Sequence, residues 1–145
     1  MKQIRNIANR RPMPASANDD APNHKAHILV VEDNEDHREL VKSCLQQAGY
    51  ENVFLAEDAL FAMDIIREAP PDLMIVDINM PHESGLAFIS SLRANRILPY
   101  VPVIFLTGRE DCEEQAKKLG AVGYLKKPLD PAALIKIVSD NTTRH

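Results

Sequence analysis

No apolar run in this 145-residue chain approaches the roughly 18 residues that cross a bilayer, so no membrane association is expected. Cysteine is scarce. Cys44 and Cys112 stand far apart, outside any CxxC pair or His/Cys cluster, which leaves a zinc site or disulfide framework without support and reads as two free thiols. No GxxxxGKS or GxxxxGKT loop is present, which disfavours a nucleoside-triphosphate enzyme. The first residues are basic but lack the apolar stretch of a secretory signal. With only Ser16, and with Asp19 and Asp20 close behind, they fit a transit peptide poorly, so a cytoplasmic location is the expectation. There is no internal repeat. Positive charge is also thin beyond the start: Lys2, Arg5, Arg10 and Arg11 precede every acidic residue, and with a net charge of −4 the remainder carries −8. An acidic body of this kind offers no clustered Lys/Arg footprint, so no direct DNA binding is expected. The tail alone could touch phosphate, weakly and in a salt-sensitive way.

What is present fits one domain of residues 26–145, preceded by an extension of residues 1–25. The extension holds Pro12, Pro14 and Pro22 among Asn, Asp, Ala and Ser, without a hydrophobic period, and reads as disordered. Ile4, Ile7 and Ala8 could make one amphipathic turn against a partner, but they are too few to decide.

From His27 the pattern is regular. Short apolar runs at 27–31, 53–56, 73–77, 101–106 and 122–125 read as strands. Between and after them come helical spacings. Leu40, Val41, Cys44, Leu45 and Ala48 follow a possible cap at Asn34 and stop at Gly49; Ala59, Ala62, Met63 and Ile66 stop before Pro70 and Pro71. Leu86, Ile89 and Leu92 follow Ser84-Gly85, Ala116 and Leu119 lie in a helix from about Asp111 to Gly120, and Ala133, Leu134, Ile137 and Val138 mark the last. Pro99 and Pro102 read as structural stops around the start of the fourth strand. Five strands alternating with five helices imply an α/β fold with a parallel, doubly wound sheet.

The chain centres on Leu73-Met74-Ile75-Val76-Asp77, too short for a helix and too continuously apolar for a half-exposed strand. Asp77 closes it at the carboxyl end, where α/β sheets bind ligands, although an Asp there can also simply cap the next turn. The other strands end in residues of similar promise: Glu32 and Asp33, Thr107, and Lys127, all on the same edge. If the strand order is 2-1-3-4-5, the first and third strands are neighbours whose crossovers diverge, which opens a crevice between Asp33 and Asp77. Three carboxylates there would resist ionising together unless a cation compensates them. Magnesium answers that need with oxygen ligands and phosphate, and Thr107 and Lys127 suit a phosphate as hydroxyl donor and positive charge. Gly108 leaves the approach beside Thr107 uncrowded.

The motifs Val30-Val31-Glu32-Asp33-Asn34, Val76-Asp77-Ile78-Asn79-Met80-Pro81, Phe105-Leu106-Thr107-Gly108 and Lys126-Lys127-Pro128, in this order, resemble the receiver domain of two-component response regulators, and of chemotaxis-type single-domain receivers in particular. The resemblance covers about residues 27–140. It implies the flavodoxin-like order 2-1-3-4-5, Asp77 as phosphoacceptor, Glu32 and Asp33 as the acidic pair, Thr107 as the switch hydroxyl and Lys127 as the active-site lysine. It further implies that Mg2+ is held by Glu32, Asp33, Asp77 and the backbone carbonyl of Asn79, and that Lys127–Pro128 is suited to a cis peptide. Residues at Asn79 and Arg109 flank the path of hydrolytic water in such domains. Thr107 drawn toward a phosphoryl group would make room for Tyr124 to turn inward and change the face of the fourth helix, fifth strand and last helix; Tyr124 is otherwise a half-buried strand aromatic.

By that resemblance the partners are a histidine kinase or histidine phosphotransfer protein and a downstream protein target whose identity is open. The chain departs from many relatives at Glu32, where Asp is usual. It also departs at Gly120-Ala121-Val122-Gly123-Tyr124, which lacks the acidic residues used for dimerisation by winged-helix transcription-factor receivers. His24, His27, His37, His82 and His145 are scattered, with surface or packing roles expected. The competing functions are a phosphorylation-independent interaction module of the same fold and a magnesium-dependent hydrolase of the haloacid-dehalogenase kind. The complete acidic, threonine and lysine set argues against the first. Asn79, where the phosphatases of the second carry another Asp, argues against it.

Overall fold

The computed structural model describes residues 21–108 and 111–143. Residues 1–20 of the expected extension, with Arg109 and His145, lie outside the described residues. The elements are β1 (His27–Val31), α1 (Glu35–Gln47), β2 (Asn52–Ala56), α2 (Ala59–Glu68), β3 (Leu73–Asp77), α3 (Gly85–Ala94), β4 (Val103–Thr107), α4 (Glu113–Lys118), β5 (Gly123–Lys126) and α5 (Pro131–Asp140). All pairings are parallel and the order is β2-β1-β3-β4-β5, as expected.

Strand alternation builds two cores, one on each side of the sheet. Leu29 and Val31, Met74 and Val76, and Val103 and Phe105 turn to one side, where Ala62 and Ile66 of α2, Phe88 and Ile89 of α3 and Ala116 of α4 cover them. Ile28 and Val30, Leu73 and Ile75, and Ile104 and Leu106 turn to the other, under Val41 and Leu45 of α1 and Leu134 and Val138 of α5. Because successive strand residues face opposite layers, the central strands are apolar at nearly every position. α1 leaves β1 toward one layer and α3 leaves β3 toward the other. The crevice between the carboxyl ends of β1 and β3 is the consequence.

Helix starts follow local chemistry. Asn34, Asp58, Ser84 and Asp130 each accept a hydrogen bond from a backbone N–H of the first turn, satisfying donors that the helix leaves open. α4 has no such side-chain cap and runs only six residues, shorter than the expected start near Asp111. β4 starts at Val103 rather than Val101, since Pro102 has no N–H to give the ladder, although its carbonyl still accepts from the Met74 N–H at 2.9 Å. β5 starts at Gly123 rather than Val122.

Residues 21–25, expected within the extension, are packed on the domain. Pro22 bridges Thr143 in antiparallel fashion, the Asn23 N–H donates to the Thr142 carbonyl at 2.8 Å, and the His24 ring stands edge-on to Tyr50, with centroids 5.0 Å apart. Tyr50 and Thr142 share a buried hydroxyl hydrogen bond of 3.0 Å. Thr142, after α5, is thus buried.

Candidate functional site

Four of the five strand ends deliver the components. Glu32 directly follows β1 and is 1% exposed; Asp77 is the last residue of β3 and 2% exposed; Thr107 ends β4 and is fully buried; Lys127 directly follows β5. One carboxylate oxygen from each of Glu32, Asp33 and Asp77 lies within 4.8 Å of the others. Asp33 is exposed, so the cluster opens to solvent on that side.

Lys127 ties the buried pair together. Its Nζ lies 3.1 Å from Glu32 Oε1 and 3.4 Å from Asp77 Oδ2. Backbone donors hold the remaining oxygens: the Asn34 N–H donates to Glu32 Oε2 at 3.2 Å and the Asn79 N–H to Asp77 Oδ1 at 3.1 Å. Arg38 Nη1 braces the loop after β1 by donating to the Glu32 carbonyl at 2.8 Å and the Asp33 carbonyl at 3.3 Å.

This balance falls short of neutrality. Burial pushes the Glu32 carboxyl up to about 7, and the hydrogen bond and charge of Asp77 push the same way, against the Asn34 N–H and Lys127. One ammonium does not compensate three carboxylates, so one of them resists ionising. The donor set is all oxygen, half enclosed and anionic, which fits a hard divalent cation.

The loop after β4 and the start of α3 frame the site. The Lys127 N–H donates to the Thr107 carbonyl at 2.8 Å, joining the loops after β4 and β5, and the Lys127–Pro128 peptide is cis. A Cβ placed on Gly108 would meet nothing within 4 Å, so the space there does not itself require glycine. Gly85 is the opposite case. A Cβ there would collide with the Asp77 carbonyl oxygen and stand 2.9 Å from Val76 Cγ1. Gly85→Ala is therefore expected to lower stability by about 1–3 kcal/mol through overpacking. Urea unfolding would measure the loss.

Tyr124 pairs with Phe105 in the β4–β5 register, two positions before Thr107, so both face the same side of the sheet. It is half-buried against that layer, and burial raises its hydroxyl above the ordinary value of 10. His37 is the residue that sequence reasoning missed. Its Nδ1 lies 3.1 Å from Lys127 Nζ and 3.9 Å from Glu32 Oε1. Its place in the first turn of α1, on the edge where β1 ends, was the available signal. The other described histidines lie elsewhere: His24 and His27 pack on Tyr50 and Phe54, and His82 takes a positive φ of 72° in the loop after β3.

The chain is similar to known proteins over most of its length. The family described as response regulator receiver domain matches residues 28–139. Chemotaxis protein CheY-3 of Vibrio cholerae is 32% identical over 114 residues, covering 77% of this chain and 88% of the relative. The polar-differentiation response regulator DivK of Brucella ovis is 32% identical over 113 residues, covering 77% of this chain and 91% of the relative. Among solved structures, chemotaxis response regulator CheY4 of Vibrio cholerae is similar with a TM-score of 0.72 at 33% identity, over 81% of this chain and 98% of that one. The CheY-like receiver domain from Methylobacillus flagellatus gives 0.71 at 26% identity, again over 81% and 98%.

Proposed function

The chain belongs to the response regulator receiver domain family, and from that membership we propose that it is a phosphoacceptor switch of two-component signalling with Asp77 as the acceptor. The observation that carries the proposal is the position of Lys127 Nζ between two buried carboxylates, Glu32 at 3.1 Å and Asp77 at 3.4 Å, beside the exposed Asp33. A structural ion pair would not require three carboxylates to converge on one cation, whereas phosphoryl transfer requires both a nucleophile and charge neutralisation.

In the proposed reaction an Asp77 oxygen attacks the phosphorus of a phosphohistidine on a histidine kinase or phosphotransfer protein. The P–O bond to Asp77 forms as the P–N bond to the donor breaks, and the imidazole leaves and is protonated. Lys127 donates to a phosphoryl oxygen, and the Thr107 hydroxyl donates to another. Glu32, Asp33, Asp77 and the Asn79 carbonyl would hold Mg2+, which supplies charge neutralisation on the transferring oxygens. Water attacking the same phosphorus later restores Asp77 and ends the signal. Thr107, drawn toward the phosphoryl group, leaves room for Tyr124 on the same sheet face, and the α4–β5–α5 face meets a downstream protein in a changed form. Cytoplasmic operation follows from such partners, and no helix among the described residues is long and apolar enough to cross a membrane.

Intact-mass measurement after incubation with acetyl phosphate tests the reading. The expected result is a gain of one phosphoryl group with Mg2+ and none with a chelator. No gain under any condition, including incubation with a phosphorylated histidine protein, would favour the phosphorylation-independent interaction module.

A further inference from the structure

Lys127 Nζ has a third partner beyond the two carboxylates. A lysine ammonium carries three N–H donors and no acceptor, so a hydrogen bond between it and His37 has Nδ1 as the acceptor. Glu32 Oε1 and His37 Nδ1 each hydrogen-bond the ammonium at 3.1 Å, and Asp77 Oδ2 pairs with it at 3.4 Å. Lys127 also borders a cavity of about 100 Å³ whose lining, apart from Glu32 and His37, is Leu40, Val41, Leu106, Pro128 and Leu129. Those side chains offer no acceptor. His37 supplies one at the cavity rim, from the first turn of α1, where its side chain is 48% exposed while that of Lys127 is only 22% exposed.

We propose that His37 is a positioning residue for Lys127: it takes the outward N–H and so aims the other two at Glu32 and Asp77. Lysine is a flexible point charge on a four-carbon stem, and with two acceptors alone it can rotate about its last bonds and withdraw toward the cavity. A third acceptor on a separate, capped helix removes that freedom. His37 acts through Lys127 and does not itself reach the phosphoryl group. The inference rests on the proposed phosphoacceptor reading for its consequence, but the contact is a property of the unphosphorylated chain.

The test uses His37→Leu, which keeps bulk without an acceptor, and His37→Gln, which keeps an acceptor, both on an exposed helical position. With acetyl phosphate and Mg2+, His37→Leu is expected to slow phosphorylation by about three- to tenfold, the loss of one charge-assisted hydrogen bond. His37→Gln is expected to recover most of the rate, and in a Lys127→Ala background His37→Leu should add nothing. Without any donor, reductive methylation of Lys127, read by peptide mass spectrometry, should be faster in His37→Leu and near wild type in His37→Gln. Equal rates in wild type and His37→Leu by both readouts, or equal losses in Leu and Gln, would overturn the inference. A wild type that takes no phosphoryl group would sink the phosphoacceptor reading instead, and the methylation comparison would still decide the His37 contact.

Discussion

Asp77→Asn is expected to yield a folded protein that gains no phosphoryl group at any concentration of acetyl phosphate or Mg2+. The substitution keeps the volume of a side chain that is 2% exposed, so β3 and the Gly85 contact behind it need not move. What it removes is the anionic nucleophile, for which a carboxamide is no replacement. It also removes one of two charges crowded around Lys127. Asp77 raises the Glu32 carboxyl both by hydrogen bonding and by charge, so in the variant that carboxyl should fall from about 7 back toward the ordinary range, though not the whole way, because burial is the larger cause. The urea midpoint near neutral pH is accordingly expected to stay level or rise. Intact mass reads the first outcome and equilibrium unfolding the second. Undiminished labelling would move the acceptor to another residue, with Asp33 the nearest exposed carboxylate. Lost labelling together with lost folding would leave the chemistry unassigned, which the melting curve distinguishes at once.

The strands and their order were readable because short, continuous apolar runs closed by a polar residue and separated by helical spacings leave little choice of element, and short connections leave little choice of crossover. The convergence of Glu32, Asp33 and Asp77 was readable for the same reason: Glu32 and Asp77 are each the first polar residue to close a buried run and Asp33 follows Glu32, so topology alone brings them to one edge. The link between Thr107 and Tyr124 came from the family resemblance, and the β4–β5 register puts the two on one sheet face. The His37 contact was not readable, because it joins positions 90 residues apart through the reach of a lysine side chain, and no period encodes a rotamer. The seam of residues 22–24 against Tyr50, Thr142 and Thr143 escaped for a different reason. It rests on backbone hydrogen bonds, one antiparallel bridge and a ring contact, none of which leaves an apolar pattern. The starts of β4 and α4 shifted where a missing donor and a missing cap acted locally, at Pro102 and Cys112.

Mg2+ affinity is expected to rise about tenfold per pH unit up to about 7 and to level off above it, because the metal binds carboxylates and displaces the proton that Glu32 retains. The same proton sets a pH dependence of folding with the opposite sign to that of a carboxylate held by ion pairs. Glu32 has an ordinary value of 4.5 and a folded value of about 7, so the folded chain holds this proton more tightly than the unfolded one. Its contribution is therefore full below about pH 4.5. It is lost as pH rises through about 7, where the folded protein must ionise a buried carboxyl, and it is flat thereafter. The shift corresponds to roughly 3 kcal/mol between those limits in metal-free protein. Saturating Mg2+ should restore most of that loss at pH 8, since a cation that binds only the folded, deprotonated site stabilises it by mass action. Glu32→Gln isolates the Glu32–Asp77 pair: the difference between wild type and variant removes the titration of the carboxylates outside it. Urea unfolding from pH 5 to 8, with chelator and with Mg2+, should show a wild-type slope that the variant lacks. Isothermal titration with Mg2+ over the same range should show weaker, pH-independent binding in the variant. A wild-type affinity that does not change with pH would mean that the ion displaces no proton from Glu32, against the link between its raised carboxyl and metal binding.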